Sequence, residues 1–487
     1  MNTLAGRPID RRRFLATGAV AASGVAAAES RDASSAAEIS ANAYHEAQRD
    51  VPIVGRADVV VCGAGPAGVA AALAAARSGA DTRLIEVGGC LGGVWTAGLL
   101  SWILDSGNKP GLMREILARL KKRNASARYG GSVAYDVEQM KLLLEQMCVE
   151  AGVEIRLHTR MVAAGRDAAN RLALAVTESK SGREAYAGRV FVDATGDGDF
   201  AAQAGCRFGY GRRETGQLQP MSMIALLAGI EPDEVAPFVR GLAEPAGEPA
   251  PKARLLAEMQ RAGVSPSYTR PTLFFIRDGL FCLMANHEYC VSATDASAIT
   301  AATIRSRGEV HRLVDALRRL DGVWRDVQII ATAEHIGVRE GRRIHGLYEV
   351  SRNDLITGAR HEDAVCRVTF PVDVHSTDPK RDKGIMREGV HAKHYDIPYR
   401  ALIARDVDGL LLAGRCISGD FIAHSSYRVT GNAVAMGEAA GAAAAIAAKT
   451  NRLPQDVPFS EIDRALRVGS GRQAENTCVA DMHQRTA

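Results

Sequence analysis

The pattern of apolar and polar positions is clearest near residue 60, where apolar β-forming residues lead directly into glycines. Residues 59–62 (VVVC) predict a buried strand, and 69–80 (VAAALAAARSGA) predict a helix of small residues. Between them lies GAGPAG at 63–68, and a second strand, DTRLIE, ends at Glu86. Strand, glycine turn, helix and strand in this order predict a βαβ unit with parallel strands.

Later segments extend this pattern. Residues 135–150 have helical periodicity, and their apolar stripe predicts core packing rather than a ligand site. Residues 189–193 predict a buried strand that runs into ATGDGD at 194–199. Residues 410–412 predict a return to the same sheet, and 432–448 predict a long helix.

This long helix contains the spacing GxxxG, formed by Gly437 and Gly441. The spacing is typical of membrane helix dimers, but also of close helix packing in soluble proteins. Because Glu438 and small side chains surround the two glycines, we expect tight packing within a soluble fold.

The first glycine turn has the spacing of a dinucleotide-binding loop. Gly63 permits a tight turn, Gly65 lets the backbone approach a pyrophosphate, and Gly68 lets helix and strand pack closely. The helix N-terminus favours phosphate. Glu86, at the end of the second strand, can accept hydrogen bonds from a ribose. These features together predict a bound dinucleotide.

Composition and charge narrow the classes of protein. A chain of 487 residues predicts two joined domains, and 47% hydrophobic with 24% charged residues is ordinary for a globular protein. A net charge of +4, without an Arg/Lys block, argues against a nucleic-acid partner. The nine cysteines include no C-x-x-C, so we expect neither a metal site nor a redox cysteine pair.

The N-terminal sequence is typical of an export signal. Residues 10–28 (DRRRFLATGAVAASGVAAA) place paired arginines before a short run of small apolar residues, which predicts a twin-arginine signal peptide over 1–28. A polar linker follows at 29–54. The twin-arginine export machinery would then be a partner, and the mature protein would be periplasmic or secreted without a membrane span. The alternative is a basic, disordered tail.

Several blocks together resemble the FAD-dependent oxidoreductases of the glutathione-reductase-like fold. The blocks are GAGPAG (63–68), the LGG-containing loop (86–98), ATGDGD (194–199), QPMSM (219–223), REGRRIHG (339–346), AGRCIS (413–418) and AHSSYRV (423–429). The resemblance implies an α/β fold, a Rossmann-like FAD-binding domain with an inserted α+β substrate or cap domain. The implied boundaries are 55–206 and 401–450 for the FAD-binding domain, 207–400 for the cap, and 451–487 for a C-terminal extension.

The same resemblance implies FAD as cofactor and assigns contacts to it. Pyrophosphate would lie near the first glycine turn, adenosine ribose at Glu86 and adenine at the backbone of Val162. The flavin and ribityl chain would lie near the later blocks. The implied contact residues are Gly63, Gly65, Pro66, Ala67, Gly68, Glu86, Gly92, Gly93, Thr96, Val162, Thr195, Gly196, Asp197, Gly414, Arg415, Asn432 and Ala433. Asn432 and Ala433 would direct N–H groups at the flavin N1/C2=O edge.

Two further expectations concern the cofactor. Cys90 lies in a glycine loop and could anchor the flavin covalently, or simply fill space. The chain has no second G-x-G-x-x-G after a strand for a nicotinamide. Electrons should therefore pass from a small-molecule substrate to flavin and then to oxygen, a quinone or a redox carrier.

Four residues are candidates for the catalytic chemistry. His424 would accept a proton near the flavin, or would be a structural histidine bonded to Asp420 or a backbone carbonyl. His375, oriented by Asp373, is the second candidate base, with a core or surface role as the alternative. His335 and the arginines after it could form an anion-binding helix face. Arg428 could bind a carboxylate or donate a proton.

Three functions follow from these candidates. The first is an exported dehydrogenase or oxidase that removes hydride from a small hydroxylated compound such as a sugar or polyol. The second is a reductase of activated C=C bonds with Arg428 as acid and an external electron carrier. The third is a non-catalytic flavin-binding or electron-transfer protein.

Overall fold

The computed structural model describes residues 44, 46, 48–242, 250–380 and 383–469, excluding the side chains of 468 and 469. The chain divides after Asp50 into two units, and the elements below lie in the second, which starts at Val51. The predicted signal peptide and most of the linker lie outside the described residues, as does the chain beyond 469. The predicted domain boundaries stay predictions.

The strands fall into one large sheet and several small ones. In chain order they are β1 (Ile53–Cys62), β2 (Thr82–Ile85), β3 (Trp102–Ile103), β4 (Ser126–Tyr129), β5 (Ser132–Tyr135), β6 (Glu154–Arg156), β7 (Arg160–Arg166), β8 (Leu172–Ser179), β9 (Gly182–Asp193), β10 (Phe208–Gly209), β11 (Ile224–Ala228), β12 (Thr272–Arg277), β13 (Leu280–Met284), β14 (Gln328–Thr332), β15 (Arg343–Ile344), β16 (Ala364–Val368), β17 (Val374–His375), β18 (Ile385–Met386), β19 (Tyr395–Pro398) and β20 (Leu410–Leu412).

The helices differ widely in length. In chain order they are α1 (Pro66–Arg77), α2 (Leu112–Lys122), α3 (Val137–Glu150), α4 (Asp199–Gln203), α5 (Pro232–Val235), α6 (Pro251–Arg261), α7 (Ala296–Arg319), α8 (Arg352–Thr357), α9 (Phe421–Tyr427), α10 (Thr430–Thr450) and α11 (Phe459–Gly469). The predicted helices at 135–150 and 432–448 are confirmed as α3 and α10. The apolar stripe of α3 is buried: Val137, Met140, Leu143, Leu144 and Met147.

The large sheet positions the candidate cofactor site. Strands β6, β2, β1 and β9 run parallel in that order, and β20 adds a parallel strand beside β9. The predicted βαβ unit and the predicted return of the chain at 410–412 are therefore confirmed. The glycine turn, Glu86 and the ATGDGD loop all follow the carboxyl ends of these strands, where α/β proteins bind ligands.

Helix α10 packs along α1 through its two glycines. A Cβ on Gly437 would lie 2.0 Å from the carbonyl oxygen of Ala67, and one on Gly441 would lie 2.0 Å from that of Ala71. Backbones this close leave no room for a side chain. The expectation of tight helix packing inside the fold is confirmed.

A second, antiparallel sheet is formed by residues 224–332. Its strand order is β12-β13-β11-β14, and α6 and α7 pack against its edges. Among the described residues, no helix combines the length and apolar character that crossing a bilayer requires. In that same part of the chain, no three His, Cys, Asp or Glu side chains are grouped as ligands of a metal ion.

Candidate active site

The glycine turn between β1 and α1 forms a cradle. Gly63 has a φ of 92°, and a Cβ on Gly68 would lie 1.8 Å from the carbonyl oxygen of Gly63. These two glycines are therefore required by the turn and by helix packing. A Cβ on Gly65, in contrast, would meet no atom within 4 Å. The space in front of Gly65 is where a phosphate can approach the backbone.

The first turn of α1 leaves its amides available to a ligand. Gly65 is the N-cap and supplies no side-chain cap, and Pro66 occupies the first helical position, where no N–H is needed. Ala67 follows. The N–H groups of a first helical turn lack partners within the helix, so an anion can satisfy them.

Glu86 links the first two glycine loops. Its Oε2 accepts a hydrogen bond from the N–H of Ala64 at 2.6 Å, and its Oε1 accepts one from the N–H of Gly88 at 2.7 Å. Each carboxylate oxygen keeps a second acceptor position for a ribose hydroxyl. The carboxylate therefore has a structural role in addition to the predicted ribose contact.

The second glycine loop lies against the first. Gly92 and Gly93 have φ values of 105° and 52°, and a Cβ on Gly93 would lie 3.0 Å from Cα of Gly65. The hydroxyl of Thr96 donates to the carbonyl oxygen of Leu91 at 2.6 Å and is fully buried. Thr96 therefore holds the loop in shape.

Cys90 lies in the same loop and is partly exposed. Its Sγ lies 3.6 Å from the hydroxyl oxygen of Thr96. A covalent bond between this thiol and the flavin stays a prediction.

Val162 lies at an irregularity of the sheet. Met161 pairs with Thr177 and Ala163 with Val176, so Val162 is an extra residue in β7 without a partner in β8. A bulge of this kind frees main-chain groups from the ladder. This position suits the predicted backbone contact with adenine.

The ATGDGD loop is held by Asp193, which the sequence did not single out. Its fully buried carboxylate accepts hydrogen bonds from the N–H and hydroxyl of Thr195 and from the N–H of Ala201. Burial raises the pKa of Asp193 to about 6, although these hydrogen bonds oppose the shift. The hydroxyl of Thr195 also accepts from the N–H of Asp199. Thr195 therefore shapes the loop that Asp193 anchors.

Two predicted cofactor blocks meet at an ion pair. Nη2 of Arg415 lies 2.8 Å from Oδ1 of Asp197, and a Cβ on Gly196 would lie 2.7 Å from the same guanidinium nitrogen. Gly414 turns the chain there with a φ of 87°. The Nε of Arg415 is buried without a partner.

The start of α10 differs from the prediction. The N–H groups of Asn432 and Ala433 both donate to the carbonyl oxygen of Val429 at 3.1 Å, so they are engaged within the helix. The side chain of Asn432 is fully buried, and its Nδ2 has no hydrogen-bond partner. If α10 contacts the flavin through Asn432, the side-chain amide is the free donor.

These features fit a bound FAD. The space in front of Gly65 is open, since a Cβ there would have no atom within 4 Å. Two buried hydrogen-bond donors, Nε of Arg415 and Nδ2 of Asn432, have no acceptor. Buried donors are normally satisfied in a complete site. A dinucleotide supplies both phosphate oxygens and flavin carbonyls as acceptors.

A buried histidine pair lies beyond this cofactor site. Nδ1 of His375 lies 2.9 Å from Nε2 of His287, and Nδ1 of His287 lies 3.1 Å from the hydroxyl of Tyr289. Burial lowers the pKa of His375 to about 3, and Arg339 lowers it further. Burial also lowers the pKa of His287. Both imidazoles are therefore neutral near pH 7.

Arg428 and Asp373 border His375. Oδ2 of Asp373 lies 3.5 Å from Nε2 of His375, and Nη2 of Arg428 donates to the carbonyl oxygen of Asp373 at 2.8 Å. The amide oxygen of Gln219 accepts from Arg428 at 3.3 Å and from the N–H of His375 at 3.1 Å. Burial alone would raise the pKa of Asp373, but His375 in its protonated form and the charges of Arg428 and Arg339 lower it, so the carboxylate is ionised.

His424 is isolated from these partners. It lies in α9, fully buried, with its ring 5.4 Å from that of Tyr427, and neither nitrogen makes a well-formed hydrogen bond. Burial, then Arg343, lowers its pKa well below the usual value, although the nearby main-chain carbonyl of Arg415 opposes this. The alternative of a bond to Asp420 is wrong, because that carboxylate caps α9 at the N–H of Ala423.

His335 and the arginines after it do not form a helix face. The described chain between β14 and β15 contains no helix, and the His335 side chain is 49% exposed beside Glu334. Arg339 donates to the carbonyl oxygen of Pro220, and Arg342 pairs with Asp199. This prediction is wrong because residues 333–342 form bends and irregular backbone, so these side chains do not share the face of a helix.

Sequence reasoning missed His287, Tyr289 and Gln219 as members of the site. Gln219 belongs to the QPMSM block, which was a usable signal. His287 and Tyr289 lie after β13 and carry no motif, and only the tertiary fold brings them beside His375.

Several solved structures match this chain at low sequence identity. The chain matches a geranylgeranyl bacteriochlorophyll reductase-like protein from Thermoplasma acidophilum at 13% identity and a TM-score of 0.43, covering 86% of this chain and 84% of that one. It matches the p-nitrophenol 4-monooxygenase PnpA from Pseudomonas putida DLL-E4 at 12% identity and a TM-score of 0.43, covering 89% of each chain.

A family model decides the assignment. No protein with a curated description matches this sequence significantly. The model for the FAD dependent oxidoreductase family matches residues 58–466, which include both glycine loops, the ATGDGD loop and the histidine pair. The chain is therefore an enzyme that belongs to the FAD-dependent oxidoreductase family, with FAD as its cofactor.

Proposed function

We propose that this FAD-dependent oxidoreductase oxidises a hydroxyl group of a small substrate, with His375 as the base. Oxidation removes a proton from oxygen and a hydride from carbon, and FAD, when bound, accepts the hydride. A positioned base must accept the proton. The observation that carries the proposal is the directed hydrogen-bond chain from Ser267 to His375.

The direction of this chain follows from its last acceptor. The hydroxyl of Tyr289 donates to the carbonyl oxygen of Ser267 at 3.1 Å, and a carbonyl can only accept. The Tyr289 oxygen then accepts from Nδ1–H of His287, whose Nε2 accepts from Nδ1–H of His375. A neutral His375 is left with its lone pair on Nε2.

That lone pair is in a position to bind a substrate hydroxyl. Nε2 of His375 lies 3.5 Å from Oδ2 of Asp373, and that oxygen already accepts from Nη2 of Arg428 at 3.4 Å. Nε2 is therefore the acceptor of this group that is left for a further donor. A substrate O–H can donate to Nε2 and then lose its proton to it. Asp373 would stabilise the resulting imidazolium, and a proton route from Nδ1 of His375 to His287, whose Nδ1–H bonds the Tyr289 oxygen, would share its charge.

His375 suits this role better than His424. A catalytic base is normally oriented by a further group, and His375 has His287 on one nitrogen and Asp373 beside the other. His424 has no orienting partner of good geometry. We therefore assign His424 to the protein interior.

A second candidate function is reduction of an activated C=C bond, with Arg428 as the proton donor and reduced flavin as the source of hydride. The Nε of Arg428 is buried without a partner, and burial lowers the pKa of this arginine, which favours proton donation. This function needs an external electron donor. Hydroxyl oxidation instead needs an electron acceptor: oxygen, a quinone or a small redox carrier.

Anaerobic mixing separates these functions. Holoenzyme is mixed with panels of small alcohols, polyols, sugars and hydroxy acids, and the flavin absorbance near about 450 nm is followed. Bleaching by members of these panels is the expected result. Prereduced enzyme that is reoxidised by alkenes, without bleaching by any hydroxylated compound, would favour the reductase. No response to either class would indicate a non-catalytic flavoprotein and overturn the proposal.

We also propose export by the twin-arginine route. The support is the sequence at 10–28, together with a dinucleotide cofactor that is inserted before transport of a folded protein. Replacing both Arg11 and Arg12 by lysine should retain the protein in the cytoplasm of a bacterial host. Unchanged secretion of that variant would contradict the proposal.

A further inference from the structure

Arg339 is a buried cation without a carboxylate partner. It is 9% exposed, and its guanidinium donates to the carbonyl oxygen of Pro220 at 2.7 Å and to the hydroxyl of Ser222 at 2.9 Å. Both of these bonds are made by Nη1, and Nη2 lies 3.7 Å from Sδ of Met284. Among the described residues, Arg339 forms no ion pair. An unpaired buried charge is costly, so a ligand anion is the natural partner.

The charged side chains around Arg339 do not fully neutralise its positive charge. Burial, and then the charge of Arg428, lowers the pKa of Arg339, and the carboxylate of Asp373 acts on both arginines. Glu340 also acts on Arg428. Glu340 is engaged by Arg343. With both histidines neutral, two arginines and one aspartate leave the cluster with one excess positive charge.

Unpartnered hydrogen-bond donors surround the same cluster. Buried nitrogens without an acceptor are Nε of Arg428, Nε2 of Gln219 and Nδ2 of Asn286, and the hydroxyl of Tyr268 is also unpartnered. Tyr268 packs over His287 with ring centroids 4.2 Å apart. Nitrogen donors can be satisfied only by an acceptor, and a carboxylate supplies two oxygens with several lone pairs.

Further cations lie towards the surface. Arg240 and Arg270 both lower the pKa of Lys252, after burial, and Asp373 opposes them. The charges of Arg240 and Arg270 also act on Tyr268, which packs over His287. A positive approach of this kind attracts anionic substrates.

Given these contacts, we infer that Arg339 and Arg428 bind a carboxylate of the substrate, and that the substrate is a small hydroxy acid rather than a sugar or polyol. The inference rests on the proposed function for the hydroxyl step. A single carboxylate matches the one excess positive charge, whereas a phosphate dianion would exceed it. Neutralising the two arginines would also strengthen His375 as a base, since their charges oppose its protonation.

A matched pair of compounds tests the inference. Lactate and propane-1,2-diol share a carbon skeleton and differ in the carboxylate. Calorimetry and the visible spectrum of oxidised holoenzyme are used to measure binding of propionate, a monoanion that is lactate without its hydroxyl, and anaerobic flavin bleaching is used to measure oxidation. Saturable binding of propionate and faster bleaching by lactate or a longer hydroxy acid than by the matching diol are expected.

Variants of Arg339 identify the binding group. Arg339→Met should weaken propionate binding by roughly 30- to 1,000-fold, as expected when one partner of a buried charged pair is lost. Arg339→Lys, which keeps the charge, should retain part of the binding and shows whether loss of fold explains the methionine variant. Arg325→Met removes an exposed arginine, 71% accessible, and should change nothing.

The outcomes separate the two proposals. Propionate binding that depends on Arg339, without bleaching by any hydroxylated compound, would uphold the carboxylate site and reject hydroxyl oxidation. Bleaching by diols as fast as by hydroxy acids would uphold oxidation and overturn the carboxylate site. Tighter binding of inorganic phosphate than of propionate would also overturn it.

Discussion

Nδ1 of His375 lies 2.9 Å from Nε2 of His287, although the two residues are 88 positions apart in the chain. His375 belongs to β17, whereas His287 follows β13 of the second sheet. The contact joins two separate sheets at the candidate active site. In the proposed arrangement, where the Tyr289 hydroxyl donates to Ser267, this contact leaves the lone pair of His375 on Nε2.

Replacement of His375 by glutamine should slow flavin reduction. Loss of a positioned general base typically lowers the rate by about 10²- to 10⁴-fold. Stopped-flow bleaching by a reactive hydroxylated compound measures the rate, and bound flavin absorbance confirms that the cofactor is retained. His335→Gln, at an exposed histidine outside the cluster, is the control. A His375→Gln variant as fast as wild type would exclude this base.

Removal of the Tyr289 hydroxyl should weaken the proton route. Tyr289→Phe leaves Nδ1–H of His287 without its acceptor, which should slow flavin reduction by about tenfold. Since Tyr289 supports protonation of the chain, its loss should also shift the acidic limb of the pH–rate profile to lower pH. Tyr210→Phe, whose hydroxyl bonds Ser292 instead, should leave that limb in place. Equal shifts in both variants would contradict the route.

Gly65 should be required for FAD and not for folding. A Cβ there meets no protein atom within 4 Å, but it occupies the space in front of the helix N-terminus. Gly65→Val should therefore unfold cooperatively in denaturant while binding little FAD, as measured by absorbance of the purified protein. Gly308→Val adds the same side chain at an exposed position on α7 and should retain FAD. Normal flavin content in Gly65→Val would place the pyrophosphate elsewhere.

Gly437 should be required for folding. A Cβ at this position would lie 2.0 Å from the carbonyl oxygen of Ala67, so Gly437→Ala must separate α10 from α1. We expect a loss of about 1–3 kcal/mol or more in the free energy of unfolding, measured by denaturant titration. Gly308→Ala, in an exposed helix, should instead stabilise by about 0.5–1 kcal/mol. A neutral Gly437→Ala variant would show that the two helices can separate without cost.

His424 should make the protein sensitive to acid. Folding lowers its pKa well below 6.5, so the unfolded chain binds a proton that the folded chain does not. The free energy of unfolding of wild type should therefore fall, relative to His424→Leu, by about 1.4 kcal/mol for each pH unit below about 6.5. Denaturant titrations at several pH values measure this difference. Parallel pH curves for the two proteins would mean that His424 is not a buried neutral histidine.

The sequence by itself determined the cofactor-binding half of the fold. The turn at Gly63, the acid at Glu86 and the close packing at Gly437 depend on residue size and on spacing within one strand or helix. Such local requirements can be recognised in consecutive residues. The sequence placed Asp197 and Arg415 near the same cofactor, because both belong to predicted cofactor blocks, but it did not predict their ion pair.

Only the tertiary structure showed which residues form the candidate substrate site. His287, His375 and Arg339 come from different elements, and no local pattern indicates that they are neighbours. The arginines after His335 diverge because each takes a partner from a different element, which helical spacing could not anticipate. Charge balance in a buried cluster depends on distances between remote segments, so the unpaired state of Arg339 became visible only when the chain was folded.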